Sequence, residues 1–347
     1  MMDFKEFTQR AEQDICAALE DASPGTRVDV NQVEKLQGES YTAVTLVPEG
    51  TNMGMNLNLN QLYDSMQRGD SYEQVISGAM DQAMEQLGHM PRFNVSEISS
   101  YETAKELLFV DVVGTKVNAE LLAKVPHTDM EDLSMVYRMQ LEQLSDGAAT
   151  VLITNDLMER MGVTREQLHA DALANSERIR PASMRTMAEV LSDMMGIPPE
   201  VIPTETSGPQ LYVVTNDVSS HGAAAAFYPD FMDQAAKELG SDFFILPSSV
   251  HEVLFVPDDG NLRVDDLREM VTSINAAEVA PADRLTDSVY HYDAAERIFE
   301  LGESWESRTA ERENDRGSVL DALKEKKETL GDRPKAASRK SKSEPEL

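Results

Sequence analysis

Two histidines, two serines and an asparagine are the residues of this chain whose types and spacing suggest chemistry. Asn216 follows a short β-branched run, and His221 stands just before Gly222-Ala223-Ala224-Ala225-Ala226. Ser248, Ser249 and His251 fall in a polar break between two apolar runs. If the runs before Asn216 and around residues 248–251 are neighbouring strands, one cluster holds two imidazoles, an amide and two hydroxyls. Loops at strand ends are where sites commonly form. Backbone amides at the start of the 222–226 segment would then be placed to hold an anion. The alternative is a polar network that pins the loops.

Simpler motifs fail. His251-Glu252 lacks the second histidine one helical turn on that a zinc protease needs. Its apolar, β-branched context predicts a strand over 251–256, which would point His251 and Glu252 to opposite faces. Ser248 and Ser249 lie in no Gly-x-Ser-x-Gly elbow; Pro247 and the serines read as a turn whose hydroxyls bond nearby backbone. His89 and His127 are placed in loops without a spaced partner. Tyr290-His291-Tyr292-Asp293 reads as a strand and turn with half-buried tyrosines. Asp258-Asp259-Gly260-Asn261 lacks the distal glutamate of a calcium loop and reads as a turn. The sequence offers no metal set, no phosphate loop and no Cys-x-x-Cys pair, so no cofactor is expected.

The elements that must position these residues follow from periodicity. Phe4, Phe7, Ala11 and Ile15 recur at helical spacing, predicting a helix over 3–20. Strands are expected over 28–36 and 41–47, joined at Gln37-Gly38-Glu39, with strict alternation from Met55 to Asn60. Ser71-Tyr72-Glu73-Gln74 and Thr164-Arg165-Glu166-Gln167 have the form of capping boxes opening helices. Strands are expected over 107–113 and 135–141, the latter turning at Ser145-Asp146-Gly147 into 150–154, with a short helix near 118–123. A Met-rich helix is predicted over 182–195. Further strands are predicted at 211–215, 243–246, 289–292 and 297–301, one helix from Gly222 to Leu239, and another opened by Asp265. Strand, polar turn and capped helix recur near 151–164 and 253–265, and more loosely at 57–71.

Composition bounds the rest. Among 347 residues, 31 Lys and Arg face 62 Asp and Glu, for a net charge of −31. Residues 308–347 hold 11 basic and 9 acidic residues, so the preceding 307 carry 20 and 53. A body of that charge repels phosphate backbones and anionic lipid, which argues against nucleic-acid or membrane binding by the folded part. The single cysteine, Cys16, permits no internal disulfide. With no signal-like N-terminus and no apolar run of membrane length, a cytoplasmic location is expected.

The stretches Leu211–Asn216, His221–Ala224 and above all Asp242–Leu254, together with Val151–Asn155 and Gly162-Val163-Thr164, resemble the bacterial family called domain of unknown function 5688. The resemblance runs from the first helix to about Asp293. It implies an origin mainly in gut Firmicutes, often near mobile elements, and transfers no catalytic residue.

The expected fold is α+β, with antiparallel sheets, flanking helices and a flexible tail. The expected units are 1–91, 92–303 (two modules, 92–200 and 205–303) and a charged tail over 304–347 with a short helix near 318–330. Missing motifs and the helix-bearing tail favour a non-enzymatic accessory protein of a mobile element, with a protein partner docking through the tail. A hydrolase-type enzyme using His221 and His251 with nearby Ser and Asn, and an acidic mimic of nucleic acid, are the alternatives.

Overall fold

A computed structural model describes residues 2–34, 40–49, 54–89, 100–144, 147–198, 209–247 and 249–312. The turns at 37–39 and 145–146, the break at Pro91, Pro203, Ser248, the expected helix near 318–330 and the stretch 333–347 lie outside the described residues. The fold is α+β. Among the described residues there are three sheets, and every strand pairing within them is antiparallel.

The first sheet comprises β1 (Arg27–Glu34), β2 (Ser40–Val47) and β3 (Met55–Asn58). Against it lies the helix Phe4–Ala22, opened by Asp3, whose carboxylate accepts from the Glu6 amide at 2.8 Å. Phe7, Ala11, Ile15 and Leu19 form its buried stripe, packed with Val44, Leu46, Leu59 and Ile76. The alternation expected to reach Asn60 stops at Asn58. There the side chain accepts from the Gln61 amide and caps a helix, Leu59–Gln67, that periodicity did not reveal. The box at Ser71 forms in both directions, and the helix Tyr72–His89 follows.

The second sheet holds β4 (Leu108–Gly114), β5 (His127–Met130), β6 (Leu133–Leu144) and β7 (Gly147–Leu152), with β4 and β5 flanking β6 and β7 also paired to it. His127 thus starts a strand rather than sitting in a loop. The third runs β13-β12-β10-β11-β9-β8, from β8 (Ala182–Thr186), β9 (Tyr212–Asn216), β10 (Phe243–Leu246), β11 (Val253–Pro257), β12 (Tyr290–Asp293) and β13 (Ile298–Leu301). One apolar cluster joins the two sheets: Leu108, Val110 and Tyr137 from the second, Val214, Phe243 and Phe255 from the third, and Ala223–Ala226 between.

Five expectations in this region fail. Residues 182–186 are strand, not helix: pairing with β9 overrides the helix propensity of Met and Arg, and a Thr186–Glu189 capping box delays the helix to Met187–Met195. The single helix from Gly222 to Leu239 is two: a 3-10 turn Gly222–Phe227 and the helix Phe231–Leu239, broken around Pro229, which has no N–H to donate. His251 and Glu252 precede β11 instead of lying in it. Tyr290 and Tyr292 are buried, not half-buried. The helix Val264–Ala277 is entered at Arg263, two residues before Asp265. Residues 302–312 are helical, and Arg308 ties them to Asp293 and Glu300. No helix among the described residues is long and apolar enough to cross a membrane.

Candidate functional site

The loop between β9 and the 3-10 turn brings His221 to His251. Asn216, almost wholly buried, shapes it: its Nδ2 donates to the Ser220 carbonyl at 2.8 Å and its Oδ1 accepts from the amides of Val218 and Ser220. Asn216 thus spends both acceptor positions and one of its two donors on the loop, which marks it as a loop-shaping residue. Ser219 and His221 both adopt left-handed backbone, each at φ 51°. Two non-glycine residues in that region within three positions mark a loop held by its surroundings, since each costs about 1 kcal/mol or more.

Gly222 lets the two loops touch. A Cβ there would meet Thr215 Oγ1 at 2.2 Å, the His251 carbonyl oxygen at 2.6 Å and the Asn216 nitrogen at 2.7 Å. The Gly222 and Ala223 amides donate to the carbonyls of His251 and Val250, and Thr215 Oγ1 also donates to the His251 carbonyl. The amides expected to hold an anion are therefore already bonded within the fold.

The rings of His221 and His251 meet edge to face with centroids 5.5 Å apart. His251 Nδ1 accepts from the His221 backbone N–H at 3.2 Å, and His251 Nε2 lies 3.4 Å from Asp283 Oδ1. Both nitrogens of His251 are thus turned toward partners, and the residue fixes the backbone on which His221 stands. His221 Nδ1 lies 3.1 Å from Asp111 Oδ2. Its alignment is too poor for a well-made hydrogen bond, so we read the contact chiefly as a charge pair, which tolerates misalignment. No described residue bonds His221 Nε2, and the side chain is 40% exposed.

Asp111 was not singled out by the sequence. It stands in the middle of β4, 1% exposed, between Val110 and Val112. Its carboxylate takes the Arg138 Nε at 2.9 Å and the Val112 amide at 2.9 Å besides facing His221. Burial alone would raise its pKa; the contacts with His221, Arg138 and Val112 outweigh that and hold it below the ordinary carboxylate range. The close approach of the Asp111 carboxylate to Nδ1 and then its charge push the His221 pKa up, against burial and Arg138. The signal for Asp111 was present: an acid in the apolar run Leu108-Phe109-Val110-Asp111-Val112-Val113 must find cations or donors. Nothing in the sequence showed that the partner lay 110 positions on.

The serines do not join the imidazoles. Ser249 Oγ accepts from the His251 amide, and the residue bridges to Arg284; Ser248 lies outside the described residues. Among the described residues no hydroxyl is hydrogen-bonded to either ring, and no group of three or more His, Cys, Asp or Glu side chains is placed to hold a metal. Beside Asp283 opens a cleft of about 400 Å³ whose walls include Pro281, Arg284, Lys116 and Asp132. Neither imidazole lines it, so it flanks the pair rather than containing it. The arrangement can hold a proton on His221 Nε2 and offer it outward.

The profile of a family described as "Family of unknown function (DUF5688)" matches residues 4–294. No curated protein and no solved structure matches the chain.

Proposed function

The chain belongs to this family of unknown function, so its activity must be argued from the site, and we propose a hydrolase-type enzyme in which His221 is the general acid and Asp111 its orienting carboxylate. The observation that carries the reading is that the His221 side chain is partly exposed, with no described residue bonded to Nε2, while Nδ1 is held against a buried carboxylate. A histidine paired in this way keeps its proton to higher pH than a free imidazole and can release it from the nitrogen that faces away from the carboxylate.

In the proposed step, water attacks an ester centre and its oxygen forms the new bond. The leaving oxygen departs with the electron pair of the broken bond and takes the His221 Nε2 proton. The attacking water loses one proton to solvent, and solvent returns one to His221. His251 is a positioning residue: through Nδ1 it fixes the His221 backbone. This departs from an arrangement in which both imidazoles and the serines share the chemistry. An accessory role through the charged tail rests on residues beyond 312, which lie outside the described residues.

The test is hydrolysis of a panel of carboxyl and phosphate esters across pH. Turnover is expected, falling as pH rises above the ordinary histidine value of about 6.5 and through the raised value of His221. Turnover unaffected by His221→Gln would overturn the proposal.

A further inference from the structure

Arg180 is 8% exposed, yet no described residue accepts a hydrogen bond from its guanidinium and no described carboxylate comes within ion-pair distance of it. Its Nε is shut off from solvent without an acceptor. Its one described contact of note is the ring of Phe109, 5.2 Å from the guanidinium carbon. A buried donor left unmade costs about 1–3 kcal/mol, more for a charged group. The anomaly is sharper in a chain where carboxylates outnumber cations 62 to 31. A site that is completed by a ligand removes that cost.

Arg180 meets the strand that carries Asp111, through the ring of Phe109. Phe109 and Asp111 alternate onto the same face of β4, about 6.6 Å apart along the strand. Arg138 stands opposite Phe109 in the register. Arg180 ends the helix Arg165–Ile179, its amide donating to the Ser176 carbonyl at 2.7 Å, and two residues later Ala182 pairs with Asn216 at the root of the His221 loop. Buried Tyr228 links the two: its phenol is pushed up by burial first and by Glu177, Asp111 and Asp217, and is drawn down by Arg180. Glu177 and Asp217 are thus near, but neither pairs with Arg180.

We propose that Arg180 is the anion anchor of this site and that the substrate is a small phosphate monoester; the proposal rests on the acid–base reading above. Three donors lack described acceptors: the Arg180 guanidinium, Arg138 Nη2 and His221 Nε2. Arg138 uses only Nε and Nη1, on Asp111 and Thr150. A phosphate offers three terminal oxygens and an ester oxygen, whereas a carboxylate offers two acceptors. The net charge of −31 disfavours long polyanions and favours a small ester. In the step, the water oxygen bonds to phosphorus, the P–O ester bond breaks, and the leaving oxygen takes the His221 proton, giving an alcohol and inorganic phosphate.

The experiment is calorimetric titration of the full chain with inorganic phosphate, with acetate as the control anion. Phosphate should bind more tightly than acetate. Arg180→Met should weaken it by about tenfold or more, and Arg180→Lys by less. Arg284→Met, at the neighbouring cleft, should leave affinity unchanged. Should Arg180→Met fail to fold, the Arg180→Lys and Arg284→Met titrations still decide. No phosphate binding at about 10 mM, equal binding of acetate, or a loss at Arg284 without one at Arg180 overturns the proposal. His221-dependent cleavage of carboxyl esters without phosphate binding removes the ligand class and keeps the acid–base reading. Phosphate held through Arg180 with no ester cleaved keeps the anchor and removes that reading.

Discussion

His221 and His291 each set an imidazole against an aspartate at nearly the same distance, 3.1 Å from Asp111 and 3.2 Å from Asp258. Their surroundings differ in every other respect. His291 is wholly buried, stacked on Trp305 at 4.3 Å with Phe244 edge-on at 4.9 Å, and its Nδ1 is sealed in without a partner. His221 rises from a left-handed loop with its side chain 40% exposed and no described residue bonded to Nε2. The pair at His291 pins β12 to the end of β11 and to the helix over 302–312; a proton there has no described path to a ligand. The same two residue types make a brace in one place and an acid in the other, and the exposure of the ring distinguishes them.

The largest expected effect separates the two directly. His221→Gln should lower turnover by about 10²–10⁴-fold, while His291→Gln leaves turnover unchanged and destabilises the fold by about 1–3 kcal/mol. Steady-state kinetics and urea unfolding on both variants check this. Asp111→Ala should cost about 3–5 kcal/mol, because Arg138 loses its buried partner, and it should abolish activity with it. Gly222→Ala forces a Cβ into Thr215, His251 and Asn216. It should cost about 1–3 kcal/mol by overpacking, and kcat should fall because the loop carrying His221 must move. Conversely, His251→Asn keeps an acceptor for the His221 amide and should retain far more activity than His251→Leu, with the pH profile unshifted.

The smallest effect is the pH dependence of stability. The His221 pKa is raised in the fold, so its stabilisation is complete below about 6.5 and is lost as pH rises through the raised value. Those of Asp111 and Asp258 are lowered, so their contributions stand above about 3.9 and are lost as pH falls through the lowered values. For Asp258, burial opposes that shift and the His291 contact wins. His221→Gln should flatten the alkaline limb of unfolding free energy against pH, and Asp258→Asn the acid limb alone.

Much of the fold was legible because alternation and capping are local. The helix from Phe4, the box at Ser71 and the hairpin from β6 to β7 all follow from neighbours within a few residues. Residues 182–186 were not, because a partner strand some thirty positions on decides them. The site was legible in halves. Gly222 and the polar break at Ser249 suggested loops that meet, and they do. What the meeting is for depends on Asp111 and Arg138, side chains from another sheet, whose charges only the tertiary fold brings to His221.

The most direct test of the central claim is a long-range ¹H–¹⁵N titration of the histidine side chains in the wild type and in Asp111→Asn. The account predicts that His221 titrates above about 6.5, holds its Nδ1 proton toward Asp111, and falls in pKa when the carboxylate becomes an amide. A His221 that titrates at the same pH in both proteins would contradict it.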